Sequence, residues 1–298
     1  MAAQSEARTM SEDNNDPTGA VLMDNWSGGY LDWSIPWPSS PNVRIFDLAL
    51  PLEPGMPRHP YHPPYAFVMV KQHGEGMYPN GVSSAMEMFS MGAHVGSHVD
   101  ALGHIALDGE IFGGRAIAEA QSPTGGLEIG STEEIPPLIG PGHLVDAEAI
   151  FGRELSPADG IGPEQFEKWF AHRAEPGPGS VVLVRTGWLR HWPDSDAYIA
   201  LKTGIPGVTR AGAEWLSDRG IMATGSDTMN YEHKPDPKVV SLSVHVHNLV
   251  EHGIYIMESL NLDVLAAHKV TDFTFVGLPL RIRGGTGSPL RAIAIVAQ

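Results

Sequence analysis

The segment SVVLVRTGW, residues 180–188, restricts the fold more than any other part of the chain. Its apolar run would place apolar side chains on both faces of a strand, because successive strand residues point to opposite faces. Such a strand needs cover on both faces, as in a sheet that lies between helices. IMATGSDTM, residues 221–229, begins with a similar apolar run and ends in polar residues. The two segments predict buried strands inside a layered domain.

Helical patterns alternate with further strand patterns along the chain. In GPEQFEKWFAHRAE, the side chains of Phe166, Trp169 and Phe170 fall on one face of an amphipathic helix. VHVHNLVEHGIYIMESLNL, residues 244–262, predicts a helix, a stop at Gly253 and then a strand. The remaining predictions are a strand that begins within 43–57, strands over 83–99 and 142–150, helices over 162–175 and 209–220, and a β-hairpin over 273–296.

These elements predict one α+β domain, residues 43–298, in which mixed β-sheets are packed by at least three helices. Residues 1–42 are predicted to be an N-terminal extension of this domain. Residues 1–20 are small, polar and acidic, which is typical of a disordered tail. Residues 21–42 hold three tryptophans among glycine, proline and serine, so this segment is expected to dock its rings against the domain.

Composition excludes several classes of function. The formal charge of −16 does not provide the basic surface that nucleic-acid binding requires. No apolar run is long enough to predict a membrane span. The N-terminus does not resemble a secretory signal, so we expect a cytoplasmic location. The chain has no cysteine, and any metal must therefore be bound by histidine, aspartate or glutamate.

The stretch MGAHVGSHVDALGHIALDG, residues 91–109, concentrates groups that bind metals or transfer protons. On a straight strand, His94 and His98 would lie roughly 13 Å apart. They can share one ion only if the chain bends between them, and Gly96 permits that bend. An extended chain places His98 and Asp100 on one face, and a turn after Asp100 would bring His104 alongside. The spacing predicts a metal site with a nearby proton-transfer group.

Other polar residues lie near predicted buried strands or in loops. Glu258 lies in the otherwise apolar strand IYIMESL, where a carboxylate is costly unless it is paired or bound to a metal. Asp227 follows a buried strand, and we expect its carboxylate to cap nearby backbone amides. His59 and His62 lie in a proline-rich loop; lining the pocket is an alternative for them, but they are expected to be ordinary surface residues. GGTGSP, residues 284–289, lacks the lysine of a phosphate loop and predicts a tight turn.

The histidine-rich stretch resembles the H-x-G-[ST]-H-x-D-x-x-x-H motif of the cyclase-type metal-dependent hydrolases. That family includes bacterial kynurenine formamidases and isatin hydrolases. The resemblance extends over about residues 43–296. FDLALPLEPGMP is similar to the family's opening segment, RTGW and GSDT are similar to its middle strands, and HVHNLVEHGIYIMESLNL and FVGLPLRIRGGTGSP are similar to its closing segments. The resemblance implies a fold of the swivelling β/β/α type.

The resemblance also implies a role for each residue of the motif. His94, His98 and Asp100 would bind a first divalent ion, and Asp100 could bridge to a second. His104 would be the general acid/base. The remaining ligands would be a later histidine and Glu258. The family's spacing favours His245 as that histidine, with His247 as the alternative. The ion would be Zn²⁺ or Mn²⁺, in one or two copies.

The activity implied by the resemblance is hydrolysis of an amide, formamide or cyclic amide bond in a small aromatic or cyclic substrate. A lactone or ester hydrolase is an alternative, because a metal-activated water molecule attacks an ester equally well. A non-catalytic metal- or ligand-binding protein and a purely structural metal site are further alternatives. The resemblance implies a homodimer or homotetramer, and we expect neither a nucleic acid nor a membrane as partner.

Overall fold

A computed structural model describes residues 32–35, 42–239 and 242–297 of the protein. Within these residues, ten strands form one mixed β-sheet. The strands are β1 (Asp32–Ile35), β2 (Val43–Asp47), β3 (His98–Asp100), β4 (Leu138–Asp146), β5 (Val181–Arg185), β6 (Ala223–Ser226), β7 (Tyr255–Glu258), β8 (Asp272–Gly277), β9 (Gly287–Pro289) and β10 (Ile293–Ala297). Their order across the sheet is β1-β2-β10-β8-β4-β5-β6-β7-β3-β9.

The centre of the sheet is parallel and its edges are antiparallel. β4, β5, β6 and β7 are parallel neighbours, with Leu144 opposite Leu183. β8, β10, β2 and β1 continue the sheet in antiparallel fashion on one side, and β3 and β9 do so on the other. The α+β class and the mixed sheet predicted from the sequence are therefore confirmed.

Short helices connect the strands. The α-helices of the described residues are α1 (Ile117–Ala120), α2 (Ala147–Phe151), α3 (Pro163–Phe170), α4 (Ser195–Ile199), α5 (Arg210–Ser217), α6 (Ser243–His245) and α7 (Asp263–Ala267). A π-helix, Val246–His252, continues directly from α6. The 3-10 helices are Leu102–His104, Thr132–Glu134 and Trp188–His191.

Alternate residues of β5 belong to two different apolar layers. Val181 and Leu183 are buried in the cluster on one face of the sheet. Val182 and Val184 are buried in the cluster on the other face, where α3 and α5 cover the sheet with the stacked rings of Phe166 and Trp215. Each such side chain contributes roughly 1.5–3 kcal/mol by leaving water. The apolar run 180–188 is thus covered on both faces, as its sequence predicts.

The predicted continuous strand over 83–99 is wrong. Met86–Ser90 forms a strand that pairs with Ala66–Lys71 in a separate, largely exposed ribbon. The chain then turns before β3, since Gly96 adopts a φ of +68° that interrupts an extended backbone. The other small ribbons of the described residues pair Glu110–Ile111 with Arg115–Ala116, Gln121–Ser122 with Gly126–Leu127, and Gly160–Ile161 with Gly207–Val208.

Two further predictions need correction at their ends. The strand predicted over 142–150 ends at Asp146, because the carboxylate of Asp146 accepts a hydrogen bond from the Ala149 backbone and begins α2. The hairpin predicted over 273–296 exists as the pair of β8 and β10. Its glycine-rich connection also forms β9, which pairs with β3 next to the histidine-rich stretch.

The boundary at residue 42, between the predicted N-terminal extension and the domain, stays a prediction. β1 lies inside the predicted extension and pairs with β2, so that Asp32 lies opposite Phe46. The predicted tail over 1–20 and most of the tryptophan-rich segment lie outside the described residues. In the described part of the chain, no helix has the length and apolar character needed to cross a bilayer.

Candidate metal centre

The pairing of β3 with its neighbours brings the histidine-rich stretch to Glu258. In the antiparallel register of β3 and β7, His98 lies directly opposite Glu258. His98 and Asp100 lie two positions apart in the same short strand and are both buried. The turn at Gly96 brings His94 back onto Asp100, with 2.7 Å between His94 Nδ1 and Asp100 Oδ1. The bend predicted at Gly96 is confirmed.

His98 has an unpartnered nitrogen at the centre of this cluster. Its Nδ1 is 2.8 Å from the Gly96 carbonyl oxygen, which orients the ring. Its Nε2 lies 3.6 Å from Asp100 Oδ1 and 3.5 Å from Glu258 Oε2. This nitrogen is buried and has no hydrogen-bond partner among the described residues. Buried polar atoms in folded proteins have a partner, and a metal ion between the two carboxylates would supply one to this nitrogen.

His245 approaches the cluster from the end of α6. Its Nε2 lies 3.2 Å from Glu258 Oε1, and its Nδ1 lies 3.0 Å from Glu232 Oε2. The same Glu232 oxygen accepts hydrogen bonds from the backbone amides of Val244 and His245. Glu232 therefore fixes both the start of α6 and the orientation of the His245 ring. Sequence reasoning missed Glu232, because no spacing relates it to His245.

His247 does not reach the cluster. Its Nδ1 lies 3.2 Å from Glu251 Oε2 and its Nε2 lies 2.9 Å from Ser217 Oγ. The His252 ring lies 4.0 Å from the His247 ring, centroid to centroid. Of the two histidines that the sequence leaves as alternatives, only His245 converges with Asp100 and Glu258.

Charge at the centre favours a cation. Burial would lower the pKa of His245, but the adjacent Glu232 and Glu258 carboxylates raise it to about 10. Burial would raise the pKa of Asp100, but His104, His94 and His98 hold it well below its usual range. Three buried carboxylates thus share the neighbourhood of these histidines, and a bound proton or a metal ion has to balance their charge. The nitrogen and oxygen donors fit a divalent metal of the first transition row.

His104 lies over His94 at the edge of the cluster. The 3-10 helix Leu102–His104 places the two rings 4.0 Å apart in a stacked arrangement. Burial lowers the pKa of His104 to about 4, although the Asp100 carboxylate opposes this change. The imidazole is therefore neutral near pH 7 and has an unprotonated ring nitrogen. A ring nitrogen of His104 also lies within 4.8 Å of donor atoms of His94 and Asp100.

A cavity of about 360 Å³ opens onto these residues. Its polar end is formed by the histidines and carboxylates described above, and its walls include apolar side chains. His59 and His62 also line the cavity, so the prediction that they are ordinary surface residues is wrong. The His62 Nδ1 lies 3.0 Å from the His94 carbonyl oxygen, which ties the proline-rich loop to the centre. The loop composition alone did not reveal this contact.

Thr286 is a second residue that sequence reasoning missed. Its hydroxyl lies 2.9 Å from His94 Nε2, within the segment GGTGSP. The predicted tight turn is confined to the start of the segment, with a φ of +73° at Gly284, and its second half forms β9. A Cβ atom at Gly287 would overlap the His94 ring, so glycine is required at this close approach. The glycines on either side of Thr286 were the sequence signal that could have indicated a close approach to the site.

Asp227 has the role predicted for it. Its Oδ1 accepts hydrogen bonds from the backbone amide of Thr186 at 2.8 Å and from the Thr186 hydroxyl at 2.6 Å. It lies outside the groups of donors that converge on the cavity.

Comparison with known proteins places this geometry in one family. The model of the Cyclase family matches residues 46–233, which is more than half of the chain. The chain therefore belongs to the Cyclase family, and the resemblance inferred from its motif is confirmed.

The relatives of the chain are hydrolases. Kynurenine formamidase of Bacillus anthracis is 25% identical over 253 residues, which cover 84% of this chain and 96% of that protein. Isatin hydrolase of Roseibium aggregatum is 27% identical over 274 residues, which cover 87% of this chain and 94% of that protein. The solved structure of isatin hydrolase A from Ralstonia solanacearum is similar with a TM-score of 0.68 and 26% identity, covering 85% of this chain and 92% of that one.

Proposed function

We propose that this protein is a divalent-metal-dependent hydrolase that opens the carbon–nitrogen bond of an amide, a formamide or a cyclic amide. The single observation that carries the proposal is the unpartnered, buried Nε2 of His98, which lies between the carboxylates of Asp100 and Glu258. The family membership and the names of the relatives support hydrolysis as the reaction.

His94, His98, Asp100, His245 and Glu258 would hold the metal, as Zn²⁺ or Mn²⁺ in one or two copies. Bound there, a divalent ion supplies an activated water molecule near neutral pH and polarises the substrate carbonyl. The carboxylate of Glu232 supports the site from outside, because it holds the His245 ring in place. Such outer contacts typically change metal affinity by about 10- to 100-fold.

His104 would move the proton. Its neutral imidazole faces the cavity, so it can accept a proton from water and return it to the leaving nitrogen. General acid/base action of this kind contributes about 10²- to 10⁴-fold. The apolar walls of the cavity suit an aromatic or cyclic substrate of modest size.

The expected partners follow from the same proposal. The substrate would be a small molecule bound in the cavity. A homodimer or homotetramer in the cytoplasm stays our proposal for the assembly and its location. Exposed apolar residues of the ribbon, such as Phe67, Met88 and Phe89, support self-association. A molar mass by light scattering equal to one chain would contradict the oligomer.

The decisive experiment compares metal-free and metal-loaded protein. Chelated protein should hydrolyse none of N-formylkynurenine, isatin or a small lactone. Protein reloaded with Zn²⁺ or Mn²⁺ should hydrolyse at least one of the two nitrogen-containing substrates. Turnover of the lactone alone would favour the ester hydrolase, and binding of metal without turnover of any of the three would favour a binding protein.

A further inference from the structure

The cavity contains one permanently cationic side chain. Among its described lining residues, Lys234 is the single lysine or arginine. Its ammonium group has no carboxylate within ion-pair distance in the described part of the chain. The Lys234 charge acts on the cavity histidine His59, whose pKa is lowered first by burial and then by this lysine. A cation without a protein partner in a substrate cavity is available to an anionic ligand.

The backbone of Lys234 is held rigidly at the cavity wall. Ile205 and Lys234 form a pair of backbone hydrogen bonds of 2.9 Å and 3.1 Å. Gly204 lets the two segments approach, because a Cβ atom there would overlap the Lys234 carbonyl oxygen. This double contact fixes the point from which the lysine side chain extends. Lys234 is therefore a built part of the cavity wall and not a side chain on a free loop.

The surroundings of Lys234 favour the binding of a negatively charged group of the substrate. The neighbouring cavity wall is apolar, with Ile199, Ile205, Met229 and Leu242 among its residues. An ion pair beside such apolar walls is much stronger than the same pair in bulk solvent, because the dielectric constant there is lower.

We propose that Lys234 determines specificity by binding a carboxylate on the substrate, so that the preferred substrate is an aromatic or cyclic amide or formamide that carries a negative charge. This inference rests on the proposed function, because it assigns the substrate class of the same site. Lys234 is a binding residue in this proposal and takes no part in the bond-breaking step.

The test compares two formamides that differ by one carboxylate. 2-Formamidobenzoate carries the anion, and formanilide lacks it. For the metal-loaded protein, Lys234→Met should raise KM for 2-formamidobenzoate by about 10- to 100-fold, the range expected for a lost hydrogen bond to a charged group. The same variant should leave kcat/KM for formanilide within about twofold of the parent value. Lys234→Arg should retain most of the preference, because it keeps the positive charge.

Lys202→Met provides the matched control. Lys202 lies two residues before the cavity residue Gly204, but it is exposed and does not line the cavity. Its variant should leave KM for both formamides unchanged. An equal change for the two formamides in Lys234→Met, or no change for either, would overturn the assignment of Lys234.

A binding measurement separates this inference from the proposed function. Calorimetric titration of the metal-loaded protein with 2-aminobenzoate should give an affinity that falls about 10- to 100-fold in Lys234→Met. If the parent protein hydrolyses neither formamide, the hydrolase proposal fails for this class of substrate, whereas the titration still decides the role of Lys234. Equal affinity in both proteins would show that the anion binds elsewhere and would refute that role.

Discussion

Within the described residues, two clusters of histidine and carboxylate side chains stand out, and they differ in how their polar atoms are satisfied. The centre cluster consists of His94, His98, Asp100, His245 and Glu258. The helix cluster consists of His247, Glu251 and His252, on the π-helix. In the helix cluster, Glu251 and Ser217 contact the two ring nitrogens of His247, and Arg210 pairs with Glu251 at 2.7 Å. In the centre cluster, the buried Nε2 of His98 has no such partner.

The difference shows that closeness of donor groups is not sufficient evidence for a metal. Each cluster contains three residues whose donor atoms lie within 4.8 Å of one another, namely Asp100, His245 and Glu258 in the centre cluster and His247, Glu251 and His252 in the helix cluster. Charge separates them, because Arg210 balances Glu251 in the helix cluster. Among the described residues, the ion-pair partners of Asp100, Glu258 and Glu232 are all histidines, with no lysine or arginine among them. A metal ion would therefore balance the charge of the centre cluster, whereas it is redundant on the helix.

The largest expected effect comes from the unpartnered histidine. His98→Ala should remove the metal and lower kcat/KM by more than about 10⁴-fold, because the ion supplies several kcal/mol to the reaction. His247→Ala is the matched change in the helix cluster and should retain stoichiometric metal and most of the activity. Elemental analysis and kinetics of the two variants check this. Equal metal loss in both would remove the distinction between the clusters.

The next effect concerns the stacked histidines. The His104 ring stacks on the His94 ring and the His252 ring lies tilted against the His247 ring, in both cases with 4.0 Å between ring centroids. His104→Ala should lower kcat by about 10²- to 10⁴-fold, as expected for a lost general acid/base, while metal content is unchanged. His252→Ala should leave kcat unchanged. Loss of metal from His104→Ala would instead assign His104 as a ligand.

Asp227 sharpens the comparison, because it also has a buried oxygen without a partner in the described chain. No cluster of donors surrounds it, and burial raises its pKa to about 6 against the opposing contacts of Thr186. The pKa of Asp227 is higher in the folded protein than in the unfolded chain, where it is about 3.9. This difference stabilises the fold fully below about pH 3.9, and the stabilisation is lost as the pH rises through 6.

Asp227→Asn removes this titration while it keeps the acceptor for Thr186. Relative to this variant, whose amide carries no charge at any pH, the parent protein should lose about 2 kcal/mol of unfolding free energy between pH 4 and pH 7. Urea unfolding of the metal-free parent and variant at both pH values measures the difference. Parallel pH profiles would mean that Asp227 stays ionised throughout.

The smallest expected effect concerns a hydroxyl that links two ligand-bearing strands. Ser97 donates a hydrogen bond of 2.6 Å to the Ser259 carbonyl oxygen and accepts one of 2.8 Å from the Leu50 amide. Ser97→Ala should weaken metal binding by about 10-fold, because His98 and Glu258 lie directly beside this contact in the chain. Ser97→Thr should restore it. Ser217→Ala, which removes a hydroxyl from the helix cluster, should not change metal affinity.

The sequence predicted the parts of the molecule that depend on local pattern. The apolar run 180–188 correctly indicated a buried strand, and Gly96 correctly indicated the bend. The convergence of His245 and Glu258 on the motif was anticipated through the family resemblance. Glu232, Thr286 and Lys234 were not anticipated, because long-range pairing of loops and strands brings them to the cavity. The strand predicted over 83–99 was wrong, because the alternation of apolar and polar residues in Met86–Ser90 continues into the motif. The extended backbone does not continue, and the motif begins a separate strand.

A crystal structure of the Zn²⁺- or Mn²⁺-loaded protein, with anomalous data at the edge of that metal, tests the central claim most directly. The account predicts an anomalous peak about 2.0–2.2 Å from His98 Nε2 and bonded to Asp100 or Glu258. A peak confined to His247, Glu251 and His252, with no ion beside His98, would contradict it.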